Sequence, residues 1–205
     1  MAFARDRDLI VFEPTLFRDV AWAGQRLVVG DGVSISGTTL SAPGDNFEAA
    51  GVEAGHVALV DELPLEVVDR LSATELMVSR LRDRLDAPPV APGAMSDAKL
   101  VIASFRPQIE SMHELLMRSA GLAPSDPMVV NERDVARVEA LGALHTILSA
   151  AAPATQEGTP MWDKARLYAD RFRAERGRLV IEIDLDDDGE ADALRRIGAA
   201  RFRRA

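Results

Sequence analysis

The chain has 205 residues, of which 47% are hydrophobic and only 5% aromatic, and its formal net charge is −9. This composition predicts a folded globular protein with an aliphatic core and excludes a disordered chain. Because the sequence has no cysteine, it also excludes disulfides, thiolate metal sites and cysteine nucleophiles. No stretch approaches the roughly 18 apolar residues of a membrane span and no signal peptide is recognisable, so we expect no membrane partner and synthesis in a cytoplasm.

Residues 9–12 predict a short strand, and the segment from Pro14 to Gly24 predicts a short helix. Residues 26–82 change to short β-branched runs separated by turns, which is typical of a meander. So few strands would best protect their edges by curling into a small barrel. The three strand candidates are residues 56–60, 65–69 and 75–79, separated by turns at residues 62–64 and 72–74. They follow the runs 28–29 and 34–40, between which a turn is expected at Asp31-Gly32.

Residues 87–93 contain three prolines and predict an extended linker. A helical period follows from Asp97 to Ala120, with Pro107 expected to kink or divide the helix. Two further helices are expected to begin at the N-caps Asn131 and Thr159. The helix expected from Asp97 to Ala120 has an apolar stripe that consists of Val101, Phe105, Ile109, Met112, Leu116 and Ala120.

These elements predict an α+β protein: a helical bundle with an inserted small β-barrel-like module, and a C-terminal strand followed by an extended arm. The expected division assigns residues 1–25 and 94–178 to the bundle and residues 26–86 to the inserted β-module. Residues 87–93 are the linker, and residues 179–205 contain the strand, an Asp-rich turn and a basic arm.

Charge is unevenly distributed, because the last eleven residues contain five arginines and no acidic residue. The remaining acidic body disfavours binding to duplex DNA, whose phosphates need nearby cations. The basic end predicts an arm that docks in an acidic or aromatic groove, and the alternative interpretation is a solvated, frayed terminus. The arm residues are Arg195, Arg196, Arg201, Phe202, Arg203 and Arg204, with Phe202 as the apolar anchor.

The Asp-rich turn places oxygen ligands at the first, third, fifth and ninth positions of a loop of the calcium-binding type, with Gly189 at the sixth. The twelfth position should be a bidentate carboxylate, but Arg195 stands there, and a strand enters the loop where a helix would be expected. The sequence therefore leaves two hypotheses, a weak Ca²⁺ site or an Asp/Gly turn without a cofactor. The candidate ligands are Asp184, Asp186, Asp188 and Asp192.

No motif in the sequence indicates an enzyme. The three histidines are His56, His113 and His145, and their spacing suggests neither a catalytic triad nor a zinc site. Metalloprotease, serine-hydrolase and phosphate-loop motifs are likewise absent from the sequence. We expect the histidines to be structural or surface residues, and we expect no catalytic residues.

Two stretches carry a family resemblance. The first is DNFEAAGVEAGHV at residues 45–57, continuing through residues 65–67 to LMVSRLR at residues 76–82. The second begins with WDKA at residues 162–165 and reaches IEIDLDDDGEAD at residues 181–192 before the arginine-rich end. Together they resemble the head–tail adaptor, or head completion, proteins of long-tailed bacteriophages and prophages.

The resemblance implies a structural virion protein that forms a ring, commonly of twelve subunits, between the portal of the head and a stopper or tail-terminator protein. It implies that the C-terminal arm binds the portal and that double-stranded DNA passes through the lumen without specific binding. An acidic body suits such a channel, since like charges prevent DNA from adhering. The expected localisation is the head–tail interface of the virion, after synthesis in the cytoplasm of the bacterial host.

Three other functions are open at this stage. The nearest is another neck protein, such as a stopper or tail-completion protein. A second is a Ca²⁺-dependent binding module built on the Asp184 loop, which would be stabilised by millimolar Ca²⁺. A third is a hydrolase with a helical cap over a β-barrel, for which the sequence proposes no acid–base pair.

Overall fold

A computed structural model describes residues 1–122, 129–152 and 158–197. The chain divides into two compact units, which we name the barrel unit (residues 5–105) and the helical unit (residues 1–4 and 106–205). The described residues form five α-helices, a closed six-stranded antiparallel barrel and a two-stranded sheet. The expected α+β class and the barrel are therefore confirmed.

The barrel unit begins with two short helices and a 3-10 turn and continues with six strands in the closed order β1-β2-β5-β4-β3-β6. All neighbouring strands are antiparallel, and β6 completes the barrel by pairing with both β1 and β3. The bounds are α1 Asp6–Phe12, α2 Leu16–Asp19, the 3-10 turn Ala23–Gln25, β1 Arg26–Ser36, β2 Thr39–Ser41, β3 Val57–Val60, β4 Leu63–Arg70, β5 Glu75–Ser79 and β6 Met95–Ala103.

The barrel interior is filled by aliphatic side chains from alternating strand positions, as the two-residue period of a strand requires. Strand β1 shifts its register against β6 at several points, and such bulges increase the bending that lets a small sheet close. A Cβ atom at Gly30 would lie 2.1 Å from Asp45 Oδ2, so a larger residue there would require the Asp45 side chain to move. The core includes Val33, Ile35, Leu40, Phe47, Val52, Val60, Leu65, Leu76, Val78, Leu100 and Ile102, all nearly or fully buried.

Several predictions in this region are wrong. Residues 9–12 belong to helix α1, and residues 97–103 form strand β6 instead of the start of a helix. Strand β1 continues through Asp31-Gly32, where a turn is expected, with a shift of its register against β6 between Gly30 and Val33. The β3–β4 turn lies at Asp61-Glu62, which both have positive φ. The three strands expected at residues 56–60, 65–69 and 75–79 are confirmed as β3, β4 and β5.

The helical unit contains three long helices and a hairpin, and α4 packs against both α3 and α5. Helices α3 and α4 approach closely at Gly142, where an added Cβ would lie 2.5 Å from the sulfur of Met112. Leu141, Leu144 and the neighbouring apolar residues of α4 are buried in this packing. The bounds are α3 Arg106–Ser119, α4 Glu132–Ala151, α5 Pro160–Arg178, β7 Val180–Ile183 and β8 Ala193–Arg196.

The predicted starts of α4 and α5 are confirmed. Thr159 Oγ1 accepts a hydrogen bond from Trp162 N at 3.3 Å, as expected of an N-cap followed by proline. Pro107 does not kink a helix, because α3 begins only at Arg106 and proline is tolerated in a first turn. The two compact units also differ from the expected division, since residues 5–25 and 94–105 group with the barrel. The expected linker, residues 87–93, also lies within the barrel unit, where Val90 forms a bridge with Arg80.

Candidate functional site

The C-terminal hairpin contains most of the described residues that the sequence singles out. Strand β7 pairs antiparallel with β8 from Val180↔Arg196 to Ile183↔Ala193. On its other edge, β7 forms a bridge between Ile183 and Val129. Strand β7 is therefore held between β8 and the segment that leads into α4.

Asn131 reinforces this edge in an unexpected way. Although it is the N-cap residue of α4, its side chain makes no capping hydrogen bond. Instead, Nδ2 donates to Val180 O at 2.8 Å and Oδ1 accepts from Glu182 N at 3.0 Å. The asparagine amide thus replaces a peptide group of a neighbouring strand, which fixes the hairpin on the helical unit.

Strand β8 is the edge of this two-stranded sheet among the described residues. Its Leu194 side chain is 63% exposed, and Arg195 and Arg196 are exposed as well. An edge strand offers unpaired backbone groups to a partner, and the two arginines add positive charge. The arm residues Arg201, Phe202, Arg203 and Arg204 lie outside the described residues.

The loop between β7 and β8 is organised by Asp184, which is 1% exposed. Its Oδ1 atom accepts hydrogen bonds from Asp187 N at 2.7 Å and Asp186 N at 3.1 Å. Its Oδ2 atom accepts from Gly189 N at 2.7 Å. The pKa of the Asp184 carboxyl is lowered, chiefly by the Gly189 N–H and further by those of Asp187 and Asp186, although burial opposes this.

The expected calcium ligands are only partly brought together. Carboxylate oxygens of Asp184, Asp186 and Asp188 lie within 4.8 Å of one another. Asp192 is instead engaged in closing the loop, since its Oδ2 accepts from Leu185 N at 2.8 Å. Arg195, at the twelfth loop position, pairs with Ile181 in the hairpin. Backbone N–H groups therefore already donate hydrogen bonds to both carboxylate oxygens of Asp184, as in an Asp/Gly turn.

Each histidine has a local structural partner. His56 Nδ1 accepts a hydrogen bond from Glu53 N at 3.0 Å in the barrel unit. His145 Nδ1 lies 3.2 Å from Ser149 Oγ and 3.3 Å from Ala165 O. These contacts agree with structural histidines.

His113 belongs to a buried cluster that the sequence did not predict. Its Nδ1 lies 2.7 Å from Glu139 Oε1, and Glu139 is 0% exposed. The other carboxylate oxygen of Glu139 accepts from Phe3 N at 3.0 Å and Ala4 N at 2.8 Å. The N-terminal residues are thereby attached to α3 and α4. The available signal was a glutamate at an apolar stripe position, one residue after Val138.

A second buried cluster lies in the barrel unit. Glu66 of β4 is 0% exposed and binds the guanidinium groups of Arg7 and Arg82 through its two carboxylate oxygens. Arg82 also donates to Leu85 O at 2.9 Å and Ala87 O at 2.8 Å, which shapes the segment after β5. The signal was a charged residue within the apolar run of β4.

Comparison with known proteins identifies no relative. No protein-family model, curated protein or solved structure matches the chain. Among the described residues, no helix combines the length and apolar character that a membrane crossing needs.

Proposed function

We propose that the chain is a head–tail adaptor of a long-tailed bacteriophage or prophage, a structural ring subunit that joins the portal to the next neck protein. The observation that carries this proposal is the exposed edge strand β8, whose Leu194, Arg195 and Arg196 lead directly towards the basic arm. A strand edge followed by arginines suits docking on an acidic partner by backbone pairing and charge.

The finer architecture belongs to the same proposal. Helices α3, α4 and α5 would form the helical bundle of an adaptor, and the barrel would be its β-module. The ring would surround passing DNA without binding specific bases, in agreement with the net charge of −9. Its place would be the head–tail interface of the virion, after synthesis in the host cytoplasm, and it would catalyse no reaction.

Portal binding is tested by mixing the purified chain with portal rings from the same genome and examining them by negative-stain electron microscopy. A new collar on the portal is the expected result. A portal that gains no density, with both proteins folded, overturns the adaptor proposal and favours a stopper or tail-completion protein.

The arm is tested by deletion. Removing residues 195–205 also removes half of β8, so the informative variant lacks only residues 198–205 and keeps the strand. We expect this variant to retain its circular dichroism spectrum and lose portal capture. Arg195→Glu with Arg196→Glu should also reduce capture, whereas Arg118→Glu, an exposed site on α3, should not. Full portal capture by the 198–205 deletion would refute the role of the arm.

A Ca²⁺-dependent binding module is the second candidate, because three carboxylates of the Asp184 loop lie within 4.8 Å of one another. It requires Ca²⁺ to stabilise the hairpin, which a Ca²⁺-specific rise of the thermal midpoint would show.

A further inference from the structure

An apolar row crosses four neighbouring strands on the outside of the barrel. Val29 of β1 is paired with Val101 of β6, Val101 with Leu59 of β3, and Leu59 with Pro64 of β4. The residues next to them, such as Val28, Ala58 and Ile102, fill the barrel interior, so the row faces outward. Val29 is 61% exposed. We name these four residues the apolar row.

The apolar row has an acidic rim. Further along β1 and β6 lie Asp31 and Asp97, and the β3–β4 turn contains Asp61 and Glu62. All four are exposed, and Lys99 of β6 lies among them, with its backbone N donating to Asp61 Oδ1. The barrel unit as a whole has 16 acidic and 9 basic residues. Arg7 and Arg82 are buried, as are Asp6, Glu13 and Glu66, which leaves 13 acidic and 7 basic residues of this unit that are not buried. A partner for this surface must therefore combine apolar and basic side chains.

Helix α5 presents such a face. Its buried side consists of Ala165, Tyr168, Ala169 and Phe172, and Leu167 on the opposite side is 45% exposed. Helical spacing places Arg171 and Arg178 on one flank of Leu167. On the other flank lie Arg166 and Arg173 together with the exposed acids Asp163 and Asp170, of which Asp170 pairs with Arg173 at 2.5 Å. The helix contains six basic and three acidic residues, which is the reverse of the balance on the barrel unit.

We propose that the apolar row and its acidic rim bind the outer face of α5 from a second copy of the chain. Leu167 would cover the apolar row, and the flanking arginines would face the rim. Because the two surfaces differ, each copy can bind one neighbour through its barrel and another through α5, which generates a ring when the rotation closes. This inference rests on the proposed function and adds the contact between ring subunits.

The chain has no cysteine, so disulfide cross-linking tests this contact directly. Val29→Cys and Leu167→Cys are prepared as separate single variants, mixed, and oxidised both in concentrated solution and on portal rings. We expect a disulfide-linked dimer in the mixture that neither variant forms alone. Mixing single variants ensures that the product joins two chains. Leu85→Cys, 54% exposed on the same unit, replaces Val29→Cys as the matched control and should give no such dimer.

Charge reversal gives a second measurement. Arg171→Glu with Arg178→Glu in the Leu167→Cys chain should reduce the cross-linked yield about tenfold, and Asp61→Lys with Glu62→Lys in the Val29→Cys chain should restore it. A cross-link that Leu85→Cys forms equally well, or one absent under both conditions, overturns the interface. If the cross-link fails in this way but wild-type protein still forms a collar on the portal, the interface is wrong and the adaptor proposal stands. If no collar forms, the adaptor proposal itself is wrong.

Discussion

Glu66 on strand β4 and Arg7 on helix α1 form a buried ion pair, with 2.5 Å between Oε2 and Nε. Arg82 binds the other oxygen of the same carboxylate, and Arg7 Nη2 donates to Arg82 O at 2.6 Å. One buried negative charge therefore organises two buried arginines. Through them it fixes α1 and the segment after β5 on the barrel wall.

Glu66→Gln should lower the free energy of unfolding by about 3–5 kcal/mol, because it leaves two buried guanidinium groups without a counter-charge. Urea denaturation followed by circular dichroism measures the change. Glu48→Gln, at an exposed position of the same unit, is the control and should stay within about 0.5 kcal/mol. A loss below about 1 kcal/mol for Glu66→Gln would contradict this role.

Glu139→Ala should destabilise the helical unit by about 3 kcal/mol, since the part-buried Phe3 amide, the buried Ala4 amide and His113 lose their shared partner. Hydrogen exchange by NMR should show faster exchange at the Phe3 and Ala4 amides. Glu114→Ala, on the exposed side of α3, should leave both amides protected. Unchanged protection in Glu139→Ala would show that other contacts hold the N-terminal residues.

The Asp184 loop should respond to acid. Because the pKa of Asp184 is lowered in the folded chain, its contribution to stability is present above the unfolded carboxyl pKa, about 3.9, and is lost as pH falls through the folded value. The Gly189 amide resonance, which reports the hydrogen bond to Asp184 Oδ2, should titrate with a midpoint below about 3.9. Asp184→Asn should abolish this titration. A midpoint at or above that value would contradict the lowered pKa.

Millimolar CaCl2 should leave the thermal midpoint unchanged, because backbone N–H groups already satisfy both Asp184 oxygens and Arg195 occupies the twelfth loop position. Differential scanning fluorimetry with MgCl2 as the control measures this. A rise that is specific to Ca²⁺ and lost in Asp188→Asn would support the calcium-dependent binding module instead.

Local signals were sufficient for several elements. The strands β3, β4 and β5 follow from β-branched runs between turns, and α5 follows from Thr159-Pro160 and its apolar spacing. The Asp184 turn was one of two interpretations available from its spacing, and its hydrogen bonds now explain it. In each case the decisive residues lie within a few positions of one another, so their physical preferences can be read along the chain.

Long-range contacts decided the rest. Val101 and Phe105 have helical spacing, which predicts that residues 97–103 begin a helix. The alternate residues Leu100 and Ile102 instead fill the barrel, and these residues pair as a strand with β1 and β3. Closure of the barrel, the hydrogen bonds that Glu66 and Glu139 accept, and the apolar row all join residues distant in sequence. The sequence by itself determined the elements that have local signals. Tertiary structure alone decided which distant strands and buried charges meet, because the free energies of strand pairing and of ion-pair burial depend on the partner and on its surroundings.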